Sequence, residues 1–353
     1  MTRLIYHISF FLLAAMTANL ANATVHRVNN TPGVDADFNN LATAISTAIA
    51  GDTLYVEGSN SSYGTVTLDK KLILVGPGNF LTINDSTQAL KQVAEISNLT
   101  FNTGCDGSVI YGMYINGRVD INEDSVSLYR NRIYYTSSGN MIDLQNGVKN
   151  IVIAQNHIHS NYTTNVVMFI NDNCTGILIA NNWISQDQSS EFGLSYNCYS
   201  SSYMAIEDQY TNSEVTYLNN VIRGNWECDY AIAINNIHVA GCIYHTGTVF
   251  YNNIGYNSNL PAGNGNQINV SMATVFERSG VNWYQDDNWW KLAAGSPALG
   301  AGVNGEDCGM FGGGLSYVLS GMPPIPAIFE ADVPATANKT NGMNVEVKSM
   351  SHK

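Results

Sequence analysis

Four acidic groups recur at similar distances ahead of a repeated asparagine. Asp120, Asp143, Asp172 and Glu207 (beside Asp208) lie between ten and thirteen residues upstream of Asn131, Asn156, Asn182 and Asn220. If the segments carrying them stack as parallel strands, the carboxyls form a vertical row, ~5 Å apart on adjacent strands and ~10 Å apart on alternate ones. Those distances bracket the separations used by retaining and inverting glycosidases. Crowded carboxylates also raise one another's proton affinity, the property a general acid needs. Asp143, Asp172 and Glu207 are therefore the candidate catalytic residues, with Arg130, Arg132 or Lys149 as nearby positive charge. The same row could bind Ca2+ through oxygen ligands. The plainer reading is a line of solvated residues at strand ends.

A second stripe falls between each repeated Asn and the Ile that follows it. Arg132, His157, Trp183 and then Val221 occupy that place, and two residues earlier stand Arg130, Gln155, Asn181 and Asn219. Strand alternation turns the first set outward if the Asn and Ile face inward. Aromatic faces with amide and guanidinium neighbours suit a sugar chain, so Arg130, Arg132, His157, Asn181 and Trp183 are candidate substrate-binding residues. Tyr129, Tyr134 and Tyr135 would add aromatic surface. The competing reading is outer-face decoration, with Trp183 packed under a loop. His157 and His159 share a face, but no third metal ligand accompanies them, and no metal site is assigned. The chain has no GxSxG, HExxH, P-loop or EF-hand pattern.

These stripes presuppose a stacked strand architecture, which the rest of the chain supports. Of 353 residues only 12% are charged and 45% are hydrophobic, and the net charge is −13. The polarity comes from amides and hydroxyls, with 44 Asn against 43 charged residues. So apolar and aromatic a chain is not disordered, and a helical bundle or nucleotide-binding α/β enzyme would be richer in Ala, Glu, Lys and Leu. A surface this acidic is a poor partner for nucleic acid. After a strand at Val25–Val28 and a helix near Phe38–Ala50, whose apolar face is Leu41, Ala44, Ile45, Ala48 and Ile49, only short alternating runs follow.

An internal repeat selects among the all-β folds. Leu128-Tyr-Arg-Asn131-Arg-Ile133, Ile153-Ala-Gln-Asn156-His-Ile158, Ile179-Ala-Asn-Asn182-Trp-Ile184 and Tyr217-Leu-Asn-Asn220-Val-Ile222 align without gaps, with a weaker copy at Phe250-Tyr-Asn-Asn253-Ile254. The asparagines are spaced by 25, 26, 38 and 33 residues. A strand-turn unit recurring at ~25 residues, its longer gaps absorbed by loops, is solenoid behaviour. A buried Asn needs partners for its amide, and the same Asn one turn above and below supplies them. Asn also tolerates the left-handed backbone of a corner. A single right-handed parallel β-helix of about ten to twelve coils is expected over residues 24–314.

Gly51-Asp-Thr-Leu-Tyr-Val56, Tyr63-Gly-Thr-Val66 and Leu72-Ile-Leu-Val-Gly-Pro-Gly78 resemble the opening coils of secreted right-handed β-helix proteins of the pectin-lyase-like group. Trp290-Lys-Leu292, Ser296-Pro-Ala-Leu-Gly-Ala-Gly302 and Asp307-Cys-Gly-Met-Phe-Gly-Gly313 resemble that group's final coil and cap. The resemblance implies an exported β-helix, in a group that contains lyases, hydrolases, epimerases, adhesins and proteins without a known activity. The hydrolase signature of the polygalacturonase branch implies a paired Asp; the pair here, Asp286-Asp287, sits in the expected closing coil, and the accompanying Asn-Thr-Asp, Gly-His-Gly and Arg-Ile-Lys are missing. No pectate-lyase-like pattern of Ca2+ carboxylates facing a basic residue is present either.

Residues 1–23 read as a secretory signal, with Arg3 ahead of the apolar Ile8–Met16 and a small-residue site at Ala21-Asn22-Ala23. The apolar run is shorter than the ~20 residues that span a bilayer, so the expected location is secreted, extracellular, cell-surface or periplasmic. Six cysteines permit bridges, one of them within the 174–242 cluster, or else buried thiols. Trp283, Trp289 and Trp290 are expected to plug the last coil. The segment 315–353, with prolines at 323, 324, 326 and 334, is expected to wrap the last coil's open edge or to attach the protein elsewhere. Three functions remain in play. They are a flank that binds a glycan or another extracellular partner, a polysaccharide lyase or glycoside hydrolase using the carboxylate row, and a structural or adhesive solenoid. An acidic surface favours neutral over anionic glycans.

Overall fold

The structure, a computed structural model, describes residues 23–135, 137–161, 166–186, 203–277, 286–336, 339–340 and 342–351. The chain winds through three parallel sheets in rotation. Sheet 1 has ten strands, from Val25–Val28 to Val249–Tyr251; sheet 2 has eight, from Glu95–Ile96 to Ile254–Gly255; sheet 3 has eight, from Val66–Leu68 to Ile243–Tyr244. Each strand pairs in parallel with the strand one turn before and after it. The molecule is therefore the expected parallel β-helix.

Interior columns follow from period-2 alternation. Leu54, Leu74, Ile110, Leu128, Ile153 and Ile179 stack in register in sheet 1, and Ile96, Ile115, Ile133, Ile158, Ile184 and Ile222 do so in sheet 2. All are fully buried. Each coil thus covers the apolar floor of the next, at ~25 cal/mol per Å² removed from water.

The corner between sheets 1 and 2 carries the asparagine ladder. Asn131, Asn156, Asn182, Asn220, Asn236 and Asn253 are buried in one column. Each donates both its main-chain N–H and its side-chain amide to Oδ1 of the next Asn, at 2.8–3.2 Å, ending on Asn266. The second amide hydrogen goes to a carbonyl of the coil before, such as Ile110, Leu128 or Ile153. Every polar atom of the ladder is satisfied inside the core. Asn236 is a rung the sequence spacing hid, because the 33-residue gap from Asn220 to Asn253 is two short coils of 16 and 17 residues rather than one coil with a loop.

The ladder Asn does not itself take the left-handed corner. The residue before it does, with φ of 58° at Arg130, 59° at Gln155, 53° at Asn181, 54° at Asn219, 57° at Asn235 and 54° at Asn252. That geometry turns these side chains outward at the moment the ladder side chain turns in.

Helix α1 covers the first coil but spans only Leu41–Thr47. Asn40 caps it, accepting from Thr43 N–H at 2.9 Å, and Ala48 has already left helical geometry, which leaves Ile49 half exposed. At the other end, regular coils stop at Ile254–Gly255, well short of residue 314, and Leu260 with Ile268 closes the core. The sequence that resembles a final coil instead runs back along the outside of sheet 2. Its prolines lead into an exposed antiparallel hairpin, Pro326–Asp332 with Glu346–Ser351. Ala89 N–H donates to Ile328 O at 2.7 Å, so the hairpin starts near the early coils and does not wrap the last one.

Cys105, Cys174, Cys228 and Cys308 are buried free thiols. Cys242 is in a disulfide, whose other half lies outside the described residues, as do residues 1–22 of the expected signal over 1–23 and Trp283. Among the described residues no helix is long and apolar enough to cross a membrane.

Candidate functional site

Sheet 3 positions the carboxylates. Its register aligns Thr67, Thr100, Asp120, Asp143, Phe169 and Glu207. Ile206 then pairs with Trp226 and Glu227 with Tyr244, which sets Glu227 beside Glu207 and Tyr244 beyond it. The neighbours of each in sequence, such as Ile121, Leu144 and Ile206, are fully buried, so this column faces outward.

Asp120 and Asp143 sit on adjacent strands as expected, but their charges are already matched. Arg118 reaches from the same face, with Nε 2.7 Å from Asp120 Oδ1 and Nη2 2.8 Å from Asp143 Oδ2. Asn140 and Asn171 donate to the two oxygens of Asp143 at 3.3 and 3.0 Å. Asp143 so held braces the two strands and accepts from three side chains. Arg118 could have been found in the sequence, since it lies two residues before Asp120 and strand alternation puts both on one side. Arg130, Arg132 and Lys149, the basic residues expected here, are elsewhere; Lys149 lies in the turn toward sheet 1, with its N–H on Asp124 Oδ1 at 2.8 Å.

Asp172 is not in the row. The strand is Val166–Ile170, and its outward residue at this level is Phe169; Asp172 lies in the turn beyond, accepting from the N–H of Asn173 at 2.9 Å. Similar distance from the Asn ladder did not amount to equal register, because the turns between sheets 3 and 1 differ in length. Phe169 therefore separates the braced Asp120–Asp143 pair from an acidic pair above it.

That upper pair is Glu207 and Glu227, both half-buried. Burial pushes the proton affinity of Glu207 up, and burial with the charges of Glu207 and Asp229 does the same to Glu227. Gln209 Nε2 donates to Glu207 Oε1 at 2.8 Å. Behind them Asp208 is fully buried, with Tyr217 donating to one of its oxygens at 3.1 Å; burial raises its pKa to about 7. Among the described residues no group of three or more His, Cys, Asp or Glu side chains is arranged to hold a metal ion.

The sheet 2 stripe is in register as expected, Arg132 beside His157, His157 beside Trp183 and Trp183 beside Val221. It points away from the core, but it does not meet solvent. His157, Trp183 and Val221 are at most 1% exposed, because Met272, Phe276, Trp290, Met310 and Tyr317 pack in one cluster over this face. Trp290 lies against Trp183 in mid-solenoid and so does not plug the last coil. Arg132 stands 4.6 Å from the centroid of Phe80 and 5.0 Å from that of Tyr114. His157 lies 4.9 Å from Phe80 and 4.3 Å from Trp183, and burial followed by the charge of Arg132 holds it neutral.

The outward corner residues are used in the same way. Asn252 donates to Ala301 O at 2.8 Å, Asn219 to Asp307 O at 2.9 Å, Asn181 to Met310 O and Gly312 O at 3.0 and 2.7 Å, Gln155 to Ser316 O at 2.6 Å and Arg130 to Met322 O at 2.8 Å. Asn235 joins them by accepting from Val303 N–H at 2.9 Å. The returning chain thus descends the solenoid one coil at a time on side chains that resembled sugar ligands. A Cβ on Gly78 would lie 2.6 Å from Ser320 O, so only glycine admits the strap there. Asp287, of the paired Asp, ties the strap down by accepting from Asn84 Nδ2, Ser320 N–H and Tyr317 O–H at 2.7, 2.6 and 3.1 Å.

No protein-family model matches the chain, and no curated protein matches it. Among solved structures it is similar to the pectate lyase Pel9A, at 10% sequence identity, covering 84% of this chain and 98% of that one with a TM-score of 0.40. The fold assignment rests on the strand registers given above.

Proposed function

We propose that the chain is an exported β-helix protein that binds a neutral glycan along the outer face of sheet 3. The observation that carries this reading is the outward column Asp120, Asp143, Phe169, Glu207, Glu227 and Tyr244, in which an aromatic ring follows each pair of carboxylates along the solenoid axis. Phe169 offers an apolar face for a sugar ring, and the flanking carboxylates and the amides of Asn140, Asn171 and Gln209 can pair with hydroxyls. A net charge of −13 disfavours a polyanion on this face. Export rests on the signal-like residues 1–23.

A second reading concerns Glu207 and Glu227. Carboxyls on neighbouring parallel strands stand ~5 Å apart, near the ~5–5.5 Å of retaining glycosidases. In that case Glu227, whose proton affinity is raised by burial and then by its acidic neighbours, would protonate the leaving oxygen while Glu207, held by Gln209, attacks the anomeric carbon, and water activated by Glu227 would then free the sugar from Glu207.

Incubation with a panel of neutral polysaccharides, scored for retention and for new reducing ends, tests both. Retention that Phe169→Ala reduces at least tenfold supports the binding face. New reducing ends lost in Glu227→Gln, with retention kept, support hydrolysis. Retention by no member of the panel, or retention indifferent to Phe169→Ala, overturns the proposal.

A further inference from the structure

The outer face of sheet 1 carries an open depression of about 550 Å³ that none of the residues above uses. Its floor is Leu178, Thr216 and Ile232, register partners on three successive coils. Glu214 and Tyr230 form its walls. Ile232 is 45% exposed and Tyr230 48% exposed, although both are large and apolar in body.

Tyr230 is held there by its backbone. Its φ is 53°, a conformation unfavourable for a bulky side chain, and its N–H donates to Thr246 O at 2.7 Å. The ring lies over Gly247, where an added Cβ would come within 2.7 Å of Tyr230 Cδ1. Any other residue at 247 would displace the ring. The aromatic wall is thus fixed in place at a conformational cost, on a face where core packing does not require it.

The chemistry of the lining is selective. No cationic side chain lines the depression, which disfavours phosphate and polyanions. The side-chain oxygens of Glu214 and Tyr230 on the walls and of Thr216 in the floor have no hydrogen-bond partner among the described residues, and Leu178 and Ile232 make the rest of the floor apolar. An apolar floor, one fixed ring and a rim of hydroxyl and carboxylate oxygens match a pyranose, whose C–H face stacks while its hydroxyls pair at the edge. The volume suits one or two sugar units. We propose that this depression is a neutral-saccharide subsite, separate from sheet 3 and independent of whether sheet 3 binds a glycan.

Saturation-transfer NMR with cellobiose, maltose and xylobiose as probes tests it, in a Phe169→Ala background so that the sheet 3 face does not contribute. Transfer to the sugar C–H protons of at least one disaccharide is expected, reduced at least tenfold by Tyr230→Ala and by Gly247→Val and retained in Tyr230→Phe. Thermal unfolding of Tyr230→Ala matching that of the parent separates loss of the site from loss of the fold. No transfer to any disaccharide, transfer unchanged in Tyr230→Ala, or transfer to tetramethylammonium in place of sugar overturns the proposal.

Discussion

Trp183 and Trp290 lie stacked, ring centroids 5.4 Å apart and planes 25° from parallel. The first belongs to the solenoid and the second to the strap that returns along it, so this contact decides what the flank of sheet 2 is for. An aromatic on the outside of a β-helix becomes the centre of a second hydrophobic core rather than a surface for ligand.

Trp290→Ala should therefore cost about 3–5 kcal/mol, the range for removing a buried aromatic. The loss should show as a lower denaturation midpoint together with red-shifted tryptophan emission, since Trp183 gains water. An unchanged midpoint would mean that the strap contributes nothing to stability.

The asparagine ladder should respond according to position. Asn182→Ala strands the N–H and amide of Asn156 and the carbonyl of Ile153 in the core, at ~1–3 kcal/mol for each unsatisfied group. Asn266, the half-buried last rung, has water available as a substitute. Chemical denaturation of Asn182→Ala and Asn266→Ala should give a clearly larger loss for the first. Equal losses would contradict the satisfied-core account.

The fold was legible in the sequence because its cause is local. Asn131, Asn156 and Asn182 recur with their Ile two places on, and period-2 alternation then fixes which side chains face inward. Asn236 escaped notice because two short coils mimic one long one. The site was less legible for a different reason. The burial of His157 and Trp183 is caused by residues about a hundred positions away, and nothing near either residue announces it. Asp172 was misplaced by assuming that distance from the ladder equals register, which the lengths of the turns decide. Arg118 and Phe169, by contrast, could have been read from alternation alone.

Asp208 gives the protein a pH dependence of definite sign. Its Oδ2 accepts from Tyr217 while Oδ1 has no partner, and Cys228, Glu227 and Asp229 lie nearby. With a folded pKa raised to about 7, against ~3.9 in an unfolded chain, the folded state keeps a proton that the unfolded state releases. This group's contribution therefore falls as pH rises from about 4 to about 7. Asp208→Asn should gain stability over the parent at pH 8 and lose that advantage near pH 4, as read by urea midpoints. A gain independent of pH would show that the carboxyl is already ionised at low pH.

The four free thiols among the described residues should be inert in the folded protein. Burial first of all drives Cys105 and Cys308 up to about 12 and Cys174 up to about 11, so little thiolate exists at neutral pH. Maleimide should leave Cys105, Cys174, Cys228 and Cys308 unlabelled natively and label all four in denaturant, as read by peptide mass mapping. Rapid native labelling would contradict the buried positions.

The binding face on sheet 3 is tested most directly by calorimetric titration of one neutral oligosaccharide, retained in the polysaccharide panel, into the parent protein, Phe169→Ala and Trp183→Phe. The account predicts at least tenfold weaker binding for Phe169→Ala and unchanged affinity for Trp183→Phe, whose ring is covered by the strap. Equal affinity for the parent and Phe169→Ala, with weakened binding by Trp183→Phe, would contradict it and return the sugar to sheet 2.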